Sequence, residues 1–223
     1  MWNWIKEAIA PARCAGCFRY GGWICDQCRS SVVGVKKQRC FKCNKDADLG
    51  ICNECSSCLD GVVVACEFGD GWIRKAIHQF KYGGNYEVAE VIKDIMIENS
   101  NLVIGSRAIV TWVPMYKTKI YSRGYNQARV LATKIAERLD LETSALLKKK
   151  LNTVSQVGLD RQQRLVAVQG SIEGLEKLVG DEVILVDDVL TTGATLEECA
   201  KVLKNMGAGK VYGFVIARRF EDE

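Results

Sequence analysis

Histidine is all but missing from this chain: His78 stands alone among 223 residues. It lies between Ile77 and Gln79 in a stretch of helical spacing, where a core or surface imidazole is the ordinary reading. Chemistry that depends on an imidazole therefore finds no support. Long apolar runs are missing too. No stretch approaches the roughly 18 consecutive apolar residues of a membrane span, which excludes one. The opening Met1–Ala10 lacks the basic start, the apolar run and the cleavage site of a signal peptide. With Trp2, Trp4, Ile5 and Ile9 set beside Lys6 and Glu7, it is expected to form a short amphipathic helix on the body of a cytoplasmic protein. Acids are missing from Asn99 to Ala136, where Arg107, Lys117, Lys119, Arg123, Arg129 and Lys134 all fall. The net charge of +4 is mild. The local field is the informative part, because it attracts phosphates, although many such runs are only solvated faces. The nucleotide-binding string G-x-x-x-x-G-K-[ST] is absent as well. Gly209-Lys210 runs into Val211 without the upstream glycine, and Gly207-x-Gly209 reads as a helix cap.

Cysteine, by contrast, is plentiful: eleven in all, ten of them in the first 66 residues. In a reducing compartment, short paired spacings point to metal ligands before disulfides. Cys14/Cys17, Cys25/Cys28, Cys40/Cys43 and Cys52/Cys55 are four C-x-x-C knuckles, each able to present two thiolates from one tight turn. Eight thiolates suffice for two closed tetrahedral zinc sites. The intervals of 7, 11 and 8 residues suit two ribbons in series, Cys14/17/25/28 and Cys40/43/52/55, while an interleaved pairing of the first knuckle with the third stays open. Cys58 extends the last knuckle and is an alternative ligand to Cys52 or Cys55. Cys66 and Cys199 sit in apolar strand and helix patterns and read as core. With all positions filled by sulfur, the two zinc ions would be structural, holding together a segment too small to bury a core.

The cysteines set a boundary near residue 60, dividing a module of residues 1–60 from a domain of residues 61–223. Beyond it, strand and helix patterns alternate. Strands are expected at Val62–Cys66, Ala108–Val113, Val183–Val186 and Val211–Ala217. Helices are expected around Gly71–Phe80 and at Glu87–Glu98, Tyr125–Leu139 and Thr195–Met206. Such alternation implies an α/β fold with a mostly parallel sheet and helices on both faces. Leu146–Gln169 has no clean period and reads as a long connecting loop holding Lys148, Lys149, Lys150, Arg161 and Arg164.

The most specific signal is Val183-Ile184-Leu185-Val186-Asp187-Asp188-Val189-Leu190-Thr191-Thr192-Gly193-Ala194-Thr195. An apolar strand ends in two carboxylates, where open α/β sheets bind ligands. A run of small and hydroxyl residues then leads into a helix whose first N–H groups, with the threonines, suit a phosphate dianion. Gly193 permits close approach of the main chain. Thr195 and Glu198 have the spacing of a capping box.

This string resembles the signature of type I phosphoribosyltransferases. With the cysteine module, Lys81-Tyr82-Gly83-Gly84, Val113-Pro114, Arg123-Gly124-Tyr125-Asn126-Gln127-Ala128 and Ser155-Gln156-x-Gly158-Leu159-x-Arg161-x-x-Arg164, nearly the whole chain is similar to the ComF family of competence proteins. The resemblance implies a type I phosphoribosyltransferase fold behind a double zinc ribbon. It implies that Asp187 and Asp188 meet the ribose 2- and 3-hydroxyls, directly or through Mg²⁺. Thr191, Thr192, Gly193, Ala194 and Thr195 would cradle the 5-phosphate. The turn after Val113-Pro114, with Lys117 and Arg123, would contact pyrophosphate, and Thr153–Arg164, carrying Arg161, would close over it. Trp112 and Met115 depart from the smaller or aliphatic residues usual in that turn. Three functions follow: a transferase acting on phosphoribosyl pyrophosphate, a non-catalytic binder of phosphoribosyl ligands, or a single-stranded-DNA-handling factor that works with the DNA-uptake machinery.

Overall fold

The computed structural model describes residues 11–68, 71–82, 86–100, 104–105, 107–150 and 168–219. The expected helix at Met1–Ala10, Gly83-Gly84, and the segment Thr153–Arg164 with Arg161 lie outside the described residues. In chain order the elements are α1 (Asp26–Ser30), β1 (Gly61–Glu67), α2 (Trp72–Tyr82), α3 (Val88–Glu98), β2 (Ile109–Trp112), α4 (Lys117–Arg123), α5 (Gln127–Leu139), β3 (Glu142–Thr143), β4 (Leu147–Lys149), β5 (Ile172–Gly174), β6 (Glu182–Leu190), α6 (Ala194–Asn205) and β7 (Lys210–Arg218). Among the described residues no helix is long and apolar enough to cross a membrane.

Five strands form one parallel sheet in the order β1-β7-β6-β2-β3. The centre is continuously apolar because both faces are covered: Val183, Ile184, Leu185 and Val186 are all fully buried. One face carries α2, α3 and α5 through Ile73, Phe80, Ile92, Leu131 and Ile135. The other carries α6 and the small β4–β5 hairpin through Leu196, Leu203, Leu146 and Ile172. The chain runs from β2 outward to β3, and from β6 the opposite way to β7. Between β2 and β6 the winding direction reverses, and such a reversal opens a crevice at the carboxyl ends of the strands.

Three local readings need correction. Strand β6 does not stop at Val186; it runs on through Asp187 and Asp188 to Leu190, with Asp187, Val189 and Leu190 paired to the equally long β7. The capping box does not form: α6 starts at Ala194, Gly193 takes the N-cap position at φ 78°, and no side chain caps it. Glu198 instead accepts from the Gly170 N–H at 2.7 Å, and the Thr192 hydroxyl accepts from the Ala194 N–H. The expected long loop at Leu146–Gln169 begins as an ordered strand, since Leu147–Lys149 pairs antiparallel with Ile172–Gly174.

The two cysteine ribbons straddle the outer strand β1. The first packs on the face of α2 and α3, with Ala15, Trp23, Ile24 and Cys28 joining that core, Lys75 donating to the Gly16 carbonyl and Arg29 paired with Glu98 at 2.7 Å. The second packs on the opposite face through Phe41, Ile51, Cys58 and Leu59. The segment between them runs along the free edge of β1. Val35 donates to the Ala65 carbonyl, and the Gln38 amide both donates to the Val64 carbonyl and accepts from its N–H. An edge strand that would otherwise present a row of unpaired groups is thereby covered.

Candidate active site and cysteine centres

Three motif segments are stitched together by one of them. In Arg123–Ala128, the Tyr125 hydroxyl donates to the Phe80 carbonyl, Gln127 donates to the Lys81 carbonyl and Asn126 donates to the Val113 carbonyl at 3.0 Å while accepting from the Arg129 N–H. The last turn of α2, the turn after β2 and the start of α5 are thus held in one arrangement. Burial, and then neighbouring Tyr86, push the Tyr125 hydroxyl up to about 12, so it stays a donor.

That arrangement surrounds a cavity of about 260 Å³ at the carboxyl end of the sheet, lined by Lys81, Val113, Pro114, Lys119, Arg123, Lys149, Asp187, Asp188 and Thr195 among others. The last hydrogen bond of β2 to β6 runs from the Val113 N–H to the Val186 carbonyl. Pro114 follows and turns the chain away, leaving the next two residues of β6 facing the crevice. Strand alternation sends neighbouring side chains to opposite faces. Asp188 reaches the α2 side, where its carboxylate meets the Lys81 ammonium at 2.9 Å. Asp187 lies on the side of Lys149 and Cys199 and accepts from the Asp188 N–H at 2.8 Å. Burial, and then the charge of Asp188, push the Asp187 carboxyl up to about 7, against the pull of that N–H, Lys81 and Lys149. Burial holds the Lys149 amine below its ordinary value, and Lys119 adds to the depression. Burial drives the Cys199 thiol far upward, which keeps it a neutral core group.

Of the residues singled out from sequence, Val113, Pro114, Arg123, Asp187, Asp188 and Thr195 meet around this cavity. Thr191, Thr192, Gly193 and Ala194 form the turn between β6 and α6, with Thr191 exposed and the other three buried. Lys117 does not line the cavity; it lines an adjoining groove of about 910 Å³ with Trp112, Arg129, Lys134, Lys148 and Lys150. Its place is taken by Lys119, which shares a helical face with Arg123 at i, i+4. That spacing was the available signal, and it was missed because Lys117–Arg123 was not read as a helix. Lys81 and Lys149 were also missed as site residues. The sequence places Lys149 in a long loop beside Lys148 and Lys150, whereas strand alternation in β4 turns it inward while Lys148 faces Glu173 at 3.1 Å. Arg107 precedes β2, at the opposite end of the sheet.

The eight knuckle cysteines form two groups, Cys14/17/25/28 and Cys40/43/52/55, with the sulfurs of each group within 4.8 Å of one another. Cys58 belongs to neither. The pairing is serial. Cys17 and Cys25 Sγ stand 3.6 Å apart and Cys43 and Cys52 Sγ 3.4 Å apart, and none of the eight is in a disulfide. The spacing suits a tetrahedron with metal–sulfur bonds of ~2.3 Å, whose edges are ~3.8 Å. The ribbons repeat each other closely. Phe18 and Asn44, each just after the second cysteine of its knuckle, take positive φ of 63° and 62° and donate to the Cys14 and Cys40 carbonyls. Burial works to raise Cys14 and Cys40, but it is outweighed by backbone N–H groups aimed at each sulfur, and both thiols fall to about 6. Each tetrad therefore holds one sulfur preset as thiolate, which a soft or borderline cation requires. The donor sets fit structural zinc.

The family model for the phosphoribosyl transferase domain matches residues 126–223. Over nearly its full length the chain is also similar to three curated proteins. Competence protein F of Haemophilus influenzae is 25% identical over 87% of this chain and 96% of its own. Competence protein ComFC of Bacillus subtilis is 26% identical over 87% of this chain and 84% of its own. DNA utilization protein YhgH of Escherichia coli is 24% identical over 89% of this chain and 92% of its own.

Proposed function

The chain belongs to the ComF family and has the type I phosphoribosyltransferase fold, and we propose that its crevice binds phosphoribosyl pyrophosphate with Mg²⁺ in the service of DNA uptake and natural competence. The observation that carries this reading is the pair Asp187 and Asp188 at the point where the sheet reverses direction, faced by four cationic side chains, Lys81, Lys119, Arg123 and Lys149. The carboxylates suit the two ribose hydroxyls and the positive charge that develops on the ribose as pyrophosphate departs. The cations suit the departing pyrophosphate. The turn from Thr191 to Thr195, at the start of α6, suits the 5-phosphate. Mg²⁺, when bound, would neutralise phosphate charge, holding to one or two carboxylates and filling its shell from phosphate oxygens and water. In this reading residues 1–60 are a zinc module with two structural ions, and residues 61–223 are the phosphoribosyl-binding domain.

Isothermal titration with phosphoribosyl pyrophosphate, with and without Mg²⁺, tests the assignment. Binding should depend on Mg²⁺ and should be lost in the double variant Asp187→Asn, Asp188→Asn, which should remain folded. Equal binding by the double variant and the parent would exclude the loop as the ligand site.

A second reading, handling of single-stranded DNA, is favoured by the pairing of cations with aromatic rings. Lys149 lies 4.8 Å from the Tyr116 ring centre and Arg129 5.5 Å from that of Trp112, both in the groove beside the crevice. Lys75 lies over Phe18 and Arg123 over Tyr82 on the side of the first ribbon. Rings and cations so interleaved suit stacked bases and their phosphates.

A further inference from the structure

The two cysteine ribbons repeat each other in sequence spacing and backbone, but they touch different things. The first rests on α2 and α3, away from the phosphate loop. The second grips that loop at three points. At its start, the Arg218 guanidinium donates to the carbonyls of Arg39, Cys40 and Phe41 and to the Asn44 side chain. Arg218 is the register partner of Leu190, and the next residue, Arg219, donates to the Leu190 carbonyl. At its middle, the Phe41 ring, buried between ligands Cys40 and Cys43, lies so close over Gly193 that a Cβ there would fall 2.5 Å from two ring carbons. At its end, Glu197 in the first turn of α6 gives both carboxylate oxygens to the second ribbon. It accepts from the Ser57 hydroxyl at 2.7 Å, the Cys58 N–H at 2.9 Å and the Lys42 ammonium at 3.3 Å.

These contacts have a chemical consequence. A carboxylate at a helix N-terminus competes with any anion for the same positive pole. Here Glu197 is turned to the ribbon, which satisfies it. Phe41 helps to hold Gly193 in its positive-φ conformation, from which the loop turns into α6. The segments that supply Phe41, Lys42, Ser57 and Cys58 run between or just beyond four cysteine ligands, and a ribbon of this size keeps its shape through its metal. We propose that metal in Cys40/43/52/55 sets the shape of the Leu190–Thr195 loop, and through it the affinity for the anion that the loop receives, while Cys14/17/25/28 has no such role. The affinity half of this inference rests on the phosphoribosyl reading; the loop-ordering half does not. Because such coupling is reciprocal, an anion seated in the loop must slow metal loss from the second tetrad and leave the first unchanged.

Full-length zinc-loaded protein decides it, with Phe41→Ala and Glu197→Gln as variants that touch neither a thiolate nor the cavity. Hydrogen exchange is followed on peptides covering Leu190–Thr195, and zinc release to a chromogenic chelator is followed with and without ribose 5-phosphate. In both variants loop exchange should rise about tenfold or more, with zinc content still at the parental level. Cys40→Ser, which empties the second tetrad, should raise loop exchange likewise, and Cys14→Ser should leave it unchanged. In the parent, ribose 5-phosphate should slow the release of one zinc equivalent and not the other. Raised loop exchange in the two variants and in Cys40→Ser upholds the coupling even where ribose 5-phosphate protects neither zinc, and then only the ligand reading fails. Parental exchange in both variants overturns the coupling whatever the ligand does.

Discussion

Asp187 carries an energetic cost that follows from its place. Its carboxyl is raised from 3.8 to about 7 by burial and by the neighbouring charge of Asp188. For an acid, a folded value above the unfolded one means that the native state binds the proton more tightly, so stability falls as pH rises from ~4 to ~7 and stays reduced above. Asp187→Asn should therefore raise the thermal midpoint at pH 8. The gain should be roughly 2 kcal/mol, well below the full shift because the crevice is open to water, and it should vanish as pH approaches 4. Calorimetric scans at pH 5 and pH 8 check the sign; a gain that is larger at pH 5 would mean the carboxyl is not raised. The same residue must be ionised to serve a ribose or a cation, so ligand affinity should climb through pH 7 while stability declines. The carboxylate pair itself was plain in the sequence. Its lysine partners were not, because Lys81 and Lys149 arrive from α2 and β4, and nothing in a linear string announces that they face the same strand end.

At the level of elements, what was legible had a long period or a short-range rule. The buried strands and the amphipathic helices α3, α5 and α6 follow from apolar spacing. The intervals between cysteines suit a serial grouping but leave an interleaved one open, and only the folded positions of the sulfurs decide for the serial one. What was not legible fell into three kinds. Strands β3, β4 and β5 have two or three residues each, too few for any alternation to register. The extension of β6 through two acids runs against strand propensity and is enforced by the ladder of β7 beside it. The capping box failed for a third reason: Gly193 beneath the Phe41 ring takes the cap position, a long-range packing fact that a four-residue pattern does not contain. For the ribbons the expectation is definite. Elemental analysis of protein purified without added metal should give two zinc equivalents, and Cys14→Ser and Cys40→Ser should each remove one. A folded protein free of zinc would remove the metal assignment. Cys58→Ser should leave both equivalents in place, since Cys58 stands outside the second group and its N–H serves Glu197.

At the scale of the whole molecule, five of the six cations between Asn99 and Ala136 fall on two surfaces, with Arg107 at the far end of the sheet. Lys119 and Arg123, with Lys81 and Lys149, close around the carboxylates. Lys117, Arg129 and Lys134 line the neighbouring groove with Lys148 and Lys150, and Lys149 borders both. A small phosphorylated ligand needs only the first surface, whereas a nucleic-acid strand would need the second as well. The rings divide in the same way. Tyr125 is buried with its hydroxyl on a backbone carbonyl and is unavailable to a base, while Trp112 and Tyr116 line the groove beneath Arg129 and Lys149. Weak, sequence-independent binding of single strands should therefore be driven by the groove. A strand neutralised at three or four phosphates loses affinity with a log–log salt slope of roughly −2 to −3, and Trp112→Leu should weaken it about tenfold, the worth of one stacked base. Changing Lys148 and Lys150 to Ala together should lower both affinity and slope. Lys149 is left in place, since its loss would damage the crevice and confuse the two surfaces. Fluorescence anisotropy of a labelled oligonucleotide at several salt concentrations reads all three effects. Absence of binding at low salt would strip the groove of this role and leave the crevice as the molecule's anion site. Binding with the expected slope, undiminished by Asp187→Asn, would show that strand and ribose ligand occupy separate surfaces of one protein.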